Sequence, residues 1–200
     1  GPDTGRKLRS LWALHVTEGI SQKRLTQLLD DKDAHIRSWA IQLLCEDFKP
    51  GNAALRKFKT MAADDSSPVV RLYLAAALQR IPESSAWKVA QGLLSHEGDA
   101  DDHNLPKMIW FGIEGNVESS TKVALDQALL SEIPMVSNFI ARRAVAADEV
   151  AAVVAAIGRA QNSGQRIPLL EGLRDGLAGQ RYLEAPKGWA AVESELMRSQ

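Results

Sequence analysis

The densest set of metal-ligand types in the chain is HEGDADDHNLPKMIWFG, residues 96–112, where two histidines and four acidic residues precede a proline and an aromatic run. His96, Asp99, Asp102 and His103 offer the imidazole and carboxylate donors that zinc or another divalent ion takes. Their spacing argues against it. The histidines stand seven apart rather than as the i, i+4 pair that one helix face presents. A calcium loop opening at Asp99 would need a glycine at its sixth position and meets Asn104 instead. The competing reading is a long polar turn in which Asp102 or Asn104 caps a helix containing Pro106 and Met108. The stretch is therefore read as a turn, and no metal or cofactor is assigned to the chain.

Nucleophilic chemistry finds no footing either. Cys45 is the single cysteine and sits in an apolar helical pattern, as a small buried residue does. Nothing matches a nucleophile elbow, a phosphate-binding loop or a dinucleotide fingerprint. His15 reads as a packing or capping histidine near a helix end, and His35 as a turn residue bonded to nearby carbonyls. No catalytic residue is named.

In the elements that must carry these side chains, helical periodicity is everywhere. Apolar residues recur three and four apart in Leu25, Leu28, Leu29, in Ile36, Ala40, Leu43, Leu44 and in Val70, Leu74, Ala77, Leu78. Strand alternation is absent. Pro50, Pro68, Pro82, Pro106, Pro134, Pro168 and Pro186 punctuate the pattern, as proline does at a first helical turn. This predicts eleven or twelve short helices. The chain also repeats. Asp31 followed by KDAHIRSWAIQLL and Asp65 followed by SSPVVRLYLAAAL both read Asp, five residues, Arg, at an offset of 34. Asp3 to Arg9 has the same spacing, Asp102 leads to Met108, and Ser131 opens a copy that lacks both charges. Five degenerate copies predict an all-α stack of helical hairpins in a single domain over residues 1–200.

Three sets of residues follow from the repeat. In a ladder of Asp31, Arg37, Asp65 and Arg71, each aspartate caps the turn before the second helix and each arginine reaches the aspartate of its own or a neighbouring copy. Exposed rungs of this kind contribute only ~0–1 kcal/mol each, so buried apolar faces must carry the stability. Two residues after the arginine position stand Leu11, Trp39, Tyr73, Trp110 and Phe139, a row beside the core stripe. Trp39, Tyr73, Trp110 and Phe139 are candidate partner-binding residues, with inter-repeat packing as the alternative. Trp12, Trp87 and Trp189 read as core or cap residues, and Lys107 and Phe111 fall at core positions. Asp30, Asp31, Asp33, Asp64, Asp65, Asp99, Asp101 and Asp102 form an acidic rim in the turns, either for a basic partner or simply solvated.

The Asp-x5-Arg pattern, with Ile36-Arg37 and Val70-Arg71 opening second helices, resembles the HEAT repeat. LWALH (11–15), HIRSWAIQLL (35–44), SPVVRLYLAAALQRIP (67–82), DADDHNLPKMIW (99–110) and APKGW (185–189) are similar to the HEAT-repeat segment of planctomycete-type putative membrane-bound dehydrogenase proteins. The resemblance implies a right-handed α-solenoid of about five hairpins. It also implies a non-catalytic scaffold joining a sugar-dehydrogenase-like β-propeller to a c-type haem domain in an extracytoplasmic protein. No Cys-x-x-Cys-His occurs, so no haem site is carried over.

Charge narrows the partners. A net charge of −1 argues against a nucleic-acid binder with a broad basic face. No apolar run approaches the ~20 residues of a membrane span, and GPDTGRK has no apolar signal core. Gly1-Pro2 is the kind of pair a cleaved tag leaves. Protein partners, in neighbouring domains or another subunit, are the expectation. Two alternatives stay open: a helical-repeat DNA-binding, glycosylase-type enzyme, and a metal-regulated binding module. Toward the C-terminus, DEVAAVVAAIGRA predicts a close-packing helix, Gly172, Gly176 and Gly179 predict weak helix, and AVESELMRSQ predicts a polar-faced cap helix.

Overall fold

The computed structural model describes residues 2–17, 19–180, 182 and 184–198. These form twelve α-helices with three short 3-10 turns and no strand among the described residues, in agreement with the all-helical periodicity. The chain divides between Leu93 and Leu94 into two compact units.

The first unit holds α1 (Pro2–Thr17), α2 (Gln22–Leu28), α3 (Ala34–Leu44), α4 (Asn52–Asp64), α5 (Pro68–Ala77) and α6 (Glu83–Leu93). Its packing alternates. α3 lies against α1 and α5, α4 lies against α6, and consecutive helices pack as the pairs α2 with α3 and α4 with α5. Leu25, Leu29, Ile36, Ala40, Ile41, Leu44, Phe58, Val70, Leu74 and Leu78 are buried between the layers. Gly92 permits the α4–α6 contact, since a Cβ there would meet the Ala63 nitrogen at 2.8 Å.

The second unit holds α7 (Leu105–Ile113), α8 (Thr121–Leu130), α9 (Pro134–Ala146), α10 (Val150–Arg159), α11 (Ser163–Gly176) and α12 (Trp189–Arg198). α9 packs between α7 and α11, and α10 between α8 and α12. The closest seam in the unit joins α11 to α9. A Cβ on Gly172 would drive into the Asn138 carbonyl oxygen and meet Ala141 Cβ at 2.7 Å, and one on Gly176 would meet Val145 Cβ at 2.7 Å. These glycines therefore do more than weaken a helix: they let two backbones touch.

The turns share one spacing, with an extended N-cap residue in all but the turn before α7, where Asn104 is in the right-handed helical region. The N-cap residues of α3, α5, α7, α9 and α11 are Asp33, Ser67, Asn104, Ile133 and Asn162, each two residues after Asp31, Asp65, Asp102, Ser131 and Ala160. In four of these turns the first side chain accepts the N–H of that N-cap residue: Asp31 from Asp33 at 2.8 Å, Asp65 from Ser67 at 3.0 Å, Asp102 from Asn104 at 2.8 Å and Ser131 from Ile133 at 3.0 Å. These side chains thus fold the turn itself, and Asp102 alone of the four also accepts from the first helical residue, Leu105. Pro68, Pro106 and Pro134 stand in first turns. Pro168 does not: it lies inside α11, where its missing N–H leaves the Gly164 carbonyl without its helical donor.

Positions in α7 and α1 differ from the sequence expectation: Lys107, expected in the core with Phe111, is exposed. α7 turns its core stripe onto Leu105, Ile109, Gly112 and Ile113, which leaves Phe111 53% exposed instead of buried. Asp3 lies within the first turn of α1 rather than in a turn ahead of it. It pairs with Lys7 at 3.4 Å while Arg9 is exposed, so the first of the five copies makes no rung.

Candidate partner-binding face

The rungs set the register of the helices that carry the aromatic residues. Arg37 forks onto the carboxylate of Asp65, Nε to Oδ2 at 2.7 Å and NH2 to Oδ1 at 2.8 Å. Its NH1 donates to the backbone carbonyl of Asp31 at 2.8 Å. One guanidinium therefore ties its own turn to the next one in the first unit. The pair is largely shielded, with side-chain exposures of 15% and 7%, and the Asp65 carboxylate holds the Arg37 guanidinium above its ordinary pKa. Bidentate, charge-assisted geometry of this kind is stronger than an exposed ion pair. Arg71 repeats the backbone half of the rung, NH1 to the Asp65 carbonyl at 2.8 Å, and is buried.

A further rung escapes the Asp-x5-Arg pattern. Arg166 donates to the Ala160 carbonyl at 2.8 Å, six residues back as in the other two, and to Glu195 of α12 at 2.7 Å. Its first position is alanine, so an aspartate-led search passes over it. Asn162 at the N-cap and arginine four residues later are the signal that finds it. Where Ser131 opens the turn, Ser137 takes the arginine position and donates to the Ala128 carbonyl at 2.9 Å, fully enclosed.

On this frame the aromatic side chains touch. In the first unit Trp39 lies 6.3 Å from Tyr73, ring centre to ring centre. Its other neighbour is Trp12, edge-to-face at 4.7 Å. The sequence reading puts Trp12 in the core and Leu11 in the row. The structure reverses them, with Leu11 buried and Trp12 37% exposed. α1 is thus one residue out of the expected register. In the second unit Trp110 and Phe139 meet edge-to-face at 5.5 Å and line a cavity of about 350 Å³ with Glu114, Arg142 and Arg143. Trp39, Tyr73, Trp110 and Phe139 are each half-buried. Such aromatic pairs contribute about 0.5–1.5 kcal/mol beyond area burial. Trp87 is buried in α6, and Trp189 is half-buried at the start of α12.

Around residues 96–112 the structure places a 3-10 turn, Glu97–Asp99, before the α7 cap. Asp102 Oδ1 accepts from Asn104 and Leu105, each at 2.8 Å, and so is engaged in holding the loop. Asp99 is buried and His103 is exposed. Among the described residues no three His, Cys, Asp or Glu side chains converge on a metal position. The acidic turns are partly consumed in the same way. Asp30 pairs with Lys57, Asp65 with Arg37, and Asp33 accepts the Thr4 hydroxyl. That hydroxyl, together with the His35 N–H, holds the Asp33 carboxyl below its ordinary pKa against the effect of burial. Asp64 and Asp101 are exposed.

The remaining titratable candidates are structural. Cys45 is buried, and desolvation pushes its thiol up to about 12. His15 Nε2 bonds Glu46 Oε2 at 2.6 Å, tying α1 to the turn after α3. His35 is exposed, its N–H donated to Asp33 at 3.0 Å. In the turn after α3 Phe48 has φ +60° and lies under the Arg80 guanidinium, 4.8 Å from the ring centre. No described helix is long and apolar enough to cross a membrane. No family model, curated protein or solved structure matches the chain.

Proposed function

We propose that the chain is a non-catalytic helical-repeat scaffold that binds protein partners through its half-buried aromatic rings. The observation that carries this reading is the contact of Trp39 with Tyr73 and of Trp110 with Phe139, tilted and edge-to-face pairs of rings that stay half-buried. Aromatic anchors held rigid before association lose little entropy on binding and are favoured at hot spots. The finer architecture we infer is a right-handed α-solenoid of about five HEAT-like hairpins, supported by the shared turn register. Its place is the one the sequence resemblance implies: a join between a sugar-dehydrogenase-like β-propeller and a c-type haem domain, outside the cytoplasm.

The test uses the full-length gene product. Deleting this segment is expected to abolish coupled electron transfer, and Trp39→Ala with Trp110→Ala to weaken association with the separately produced flanking domains by about tenfold or more. Coupling that survives the deletion would end the reading. Tight binding of a labelled DNA duplex at moderate salt would instead favour the glycosylase-type alternative.

A further inference from the structure

The cavity of about 350 Å³ between α7 and α9 carries charges of both signs, and they do not meet. α7 contributes Trp110 and, one turn on, its C-cap residue Glu114. α9 contributes Phe139, Arg142, Arg143 and Ala146, the last three standing three, four and seven residues after the first and so on one face of the helix. The edge-to-face rings of Trp110 and Phe139 form the apolar part of the wall.

Most of the bonding capacity of these charges is unused. Glu114 and Arg142 line the same cavity, yet neither makes an ion pair or a side-chain hydrogen bond among the described residues. Arg143 donates through NH2 to Glu118 at 3.2 Å, an exposed pair that leaves its other donors open. On α11 the carboxyl of Asp175 is held below its ordinary pKa first by the Arg174 guanidinium bonded to it and last by the charge of Arg142, but it forms no ion pair with Arg142.

These groups select a ligand by its own charges. A lone anion would meet the Glu114 carboxylate. A lone cation would meet two guanidiniums. A neutral apolar molecule would strip water from all of them and pair none, which is costly. A molecule carrying both an ammonium and a carboxylate satisfies both signs. Its ammonium belongs beside Glu114, where the C-terminal end of α7 adds partial negative charge. Its carboxylate belongs against Arg142 and Arg143, whose planar forks match it. An apolar side chain then lies on Trp110 and Phe139. The volume stands near the lower end of the ~300–1,000 Å³ usual for small-ligand sites, and suits a molecule of this size rather than a segment of another protein.

We propose that this cavity binds a free α-amino acid with a large apolar side chain, in its zwitterionic form. The site goes beyond the partner-binding reading. It shares Trp110 and Phe139 with that reading but is tested on the chain alone, so either can fail without the other.

The experiment is isothermal titration calorimetry of the whole chain with L-phenylalanine. Two analogues each lack one charge: N-acetyl-L-phenylalanine has no ammonium, and L-phenylalaninamide has no carboxylate. The expected result is one saturable site with Kd below about 1 mM, weakened about tenfold or more in either analogue. Glu114→Gln should weaken L-phenylalanine and remove the difference between it and its N-acetyl analogue. Arg142→Gln/Arg143→Gln should do the same for the amide. These positions are exposed or half-buried, and circular dichroism checks the fold of each variant. The comparison of the three ligands uses the unaltered chain, so it decides the matter even where a variant fails to fold. Absence of saturable heat up to ~10 mM ligand overturns the proposal. So does equal binding of the three ligands, or an acetylation penalty that survives Glu114→Gln.

Discussion

Replacing Gly172 by alanine should destabilise the protein, although alanine is the better helix former. In an open helix the change gains about 1 kcal/mol. Here the new Cβ faces the backbone of α9, with the Asn138 carbonyl oxygen in its path, Ala141 Cβ at 2.7 Å and the Arg142 nitrogen at 3.1 Å. None of these is the end of a flexible side chain that can swing aside. Restoring the Ala141 contact to 3.4 Å requires α9 and α11 to part by about 0.7 Å. A gap of ~0.5–1 Å forfeits a quarter to a half of each dispersion contact along the seam. Overpacking of this kind costs about 1–3 kcal/mol. With the upper end applying to a backbone collision, the balance is a loss of about 2 kcal/mol.

The comparison variant is Gly5→Ala in α1, where the nearest atom to the new Cβ is the flexible tip of Arg9 at 3.6 Å. That variant should gain about 0.5–1 kcal/mol. Urea unfolding followed by circular dichroism, with midpoints compared at fixed slope, separates the two. If both substitutions move the midpoint upward, the close approach of α9 and α11 is not a stabilising feature and the seam argument is wrong.

Arg37→Ala should cost about 2–4 kcal/mol in unfolding free energy, because it strands the shielded Asp65 carboxylate, and Arg37→Lys should recover only part of this, lacking the fork. A double-mutant cycle with Asp65→Asn that shows no coupling would refute the rung. Ser10→Arg, two residues before Trp12 as Arg37 is before Trp39, should put a guanidinium beside Asp31 across the cavity that both residues line and raise stability by up to ~1 kcal/mol in the same unfolding assay, an increment that Asp31→Asn removes. Asp33 has its folded pKa depressed, first by the Thr4 hydroxyl. Its contribution is present above the unfolded carboxylate value and is lost as pH falls through the folded one. Thr4→Val should therefore lower stability at neutral pH and flatten its acid dependence in pH-resolved melts. Cys45, buried and pushed up to about 12, should resist a thiol reagent at pH 8 in the native protein and react at once in denaturant.

What the sequence makes readable depends on which groups carry each feature. Helices are legible because apolar spacing survives substitution: Ile36, Ala40 and Leu44 are buried as their periodicity requires. The turns are legible where Asp or Ser opens them, since those side chains bond the backbone two residues on wherever they stand. Register is not legible in α1. Asp3-x5-Arg9 imitates the spacing, yet a one-residue shift turns Leu11 inward and Trp12 outward. On a helix that is a rotation of ~100°, enough to exchange a core position for a surface one, and only the neighbouring α3 determines which is chosen. Phe111 departs because the turn before α7 differs in its backbone: Asn104 lies in the right-handed helical region where Asp33 and Ser67 are extended, and the stripe falls on Ile109 and Ile113. The role of Gly172 and Gly176 is illegible because it depends on a helix some thirty residues away.

Arg166 shows why the repeat outlasts its own signature. A rung has two halves. The arginine finds the carbonyl six residues back, at 2.8 Å in Arg37, Arg71 and Arg166 alike. Every residue type supplies that acceptor, so the first position of the turn is free to be alanine without loss of the bond. The carboxylate half is the variable one, met by Asp65 for Arg37 and by Glu195 for Arg166. The bond the arginine makes to its own turn is thus accepted by backbone, which a residue pattern cannot display. The part written in side chains is the part the fold can exchange. A repeat of this kind is best sought by both marks together, since aspartate opens the turn before α7 where Met108 replaces the arginine, and arginine marks the turn before α11 where Ala160 replaces the aspartate.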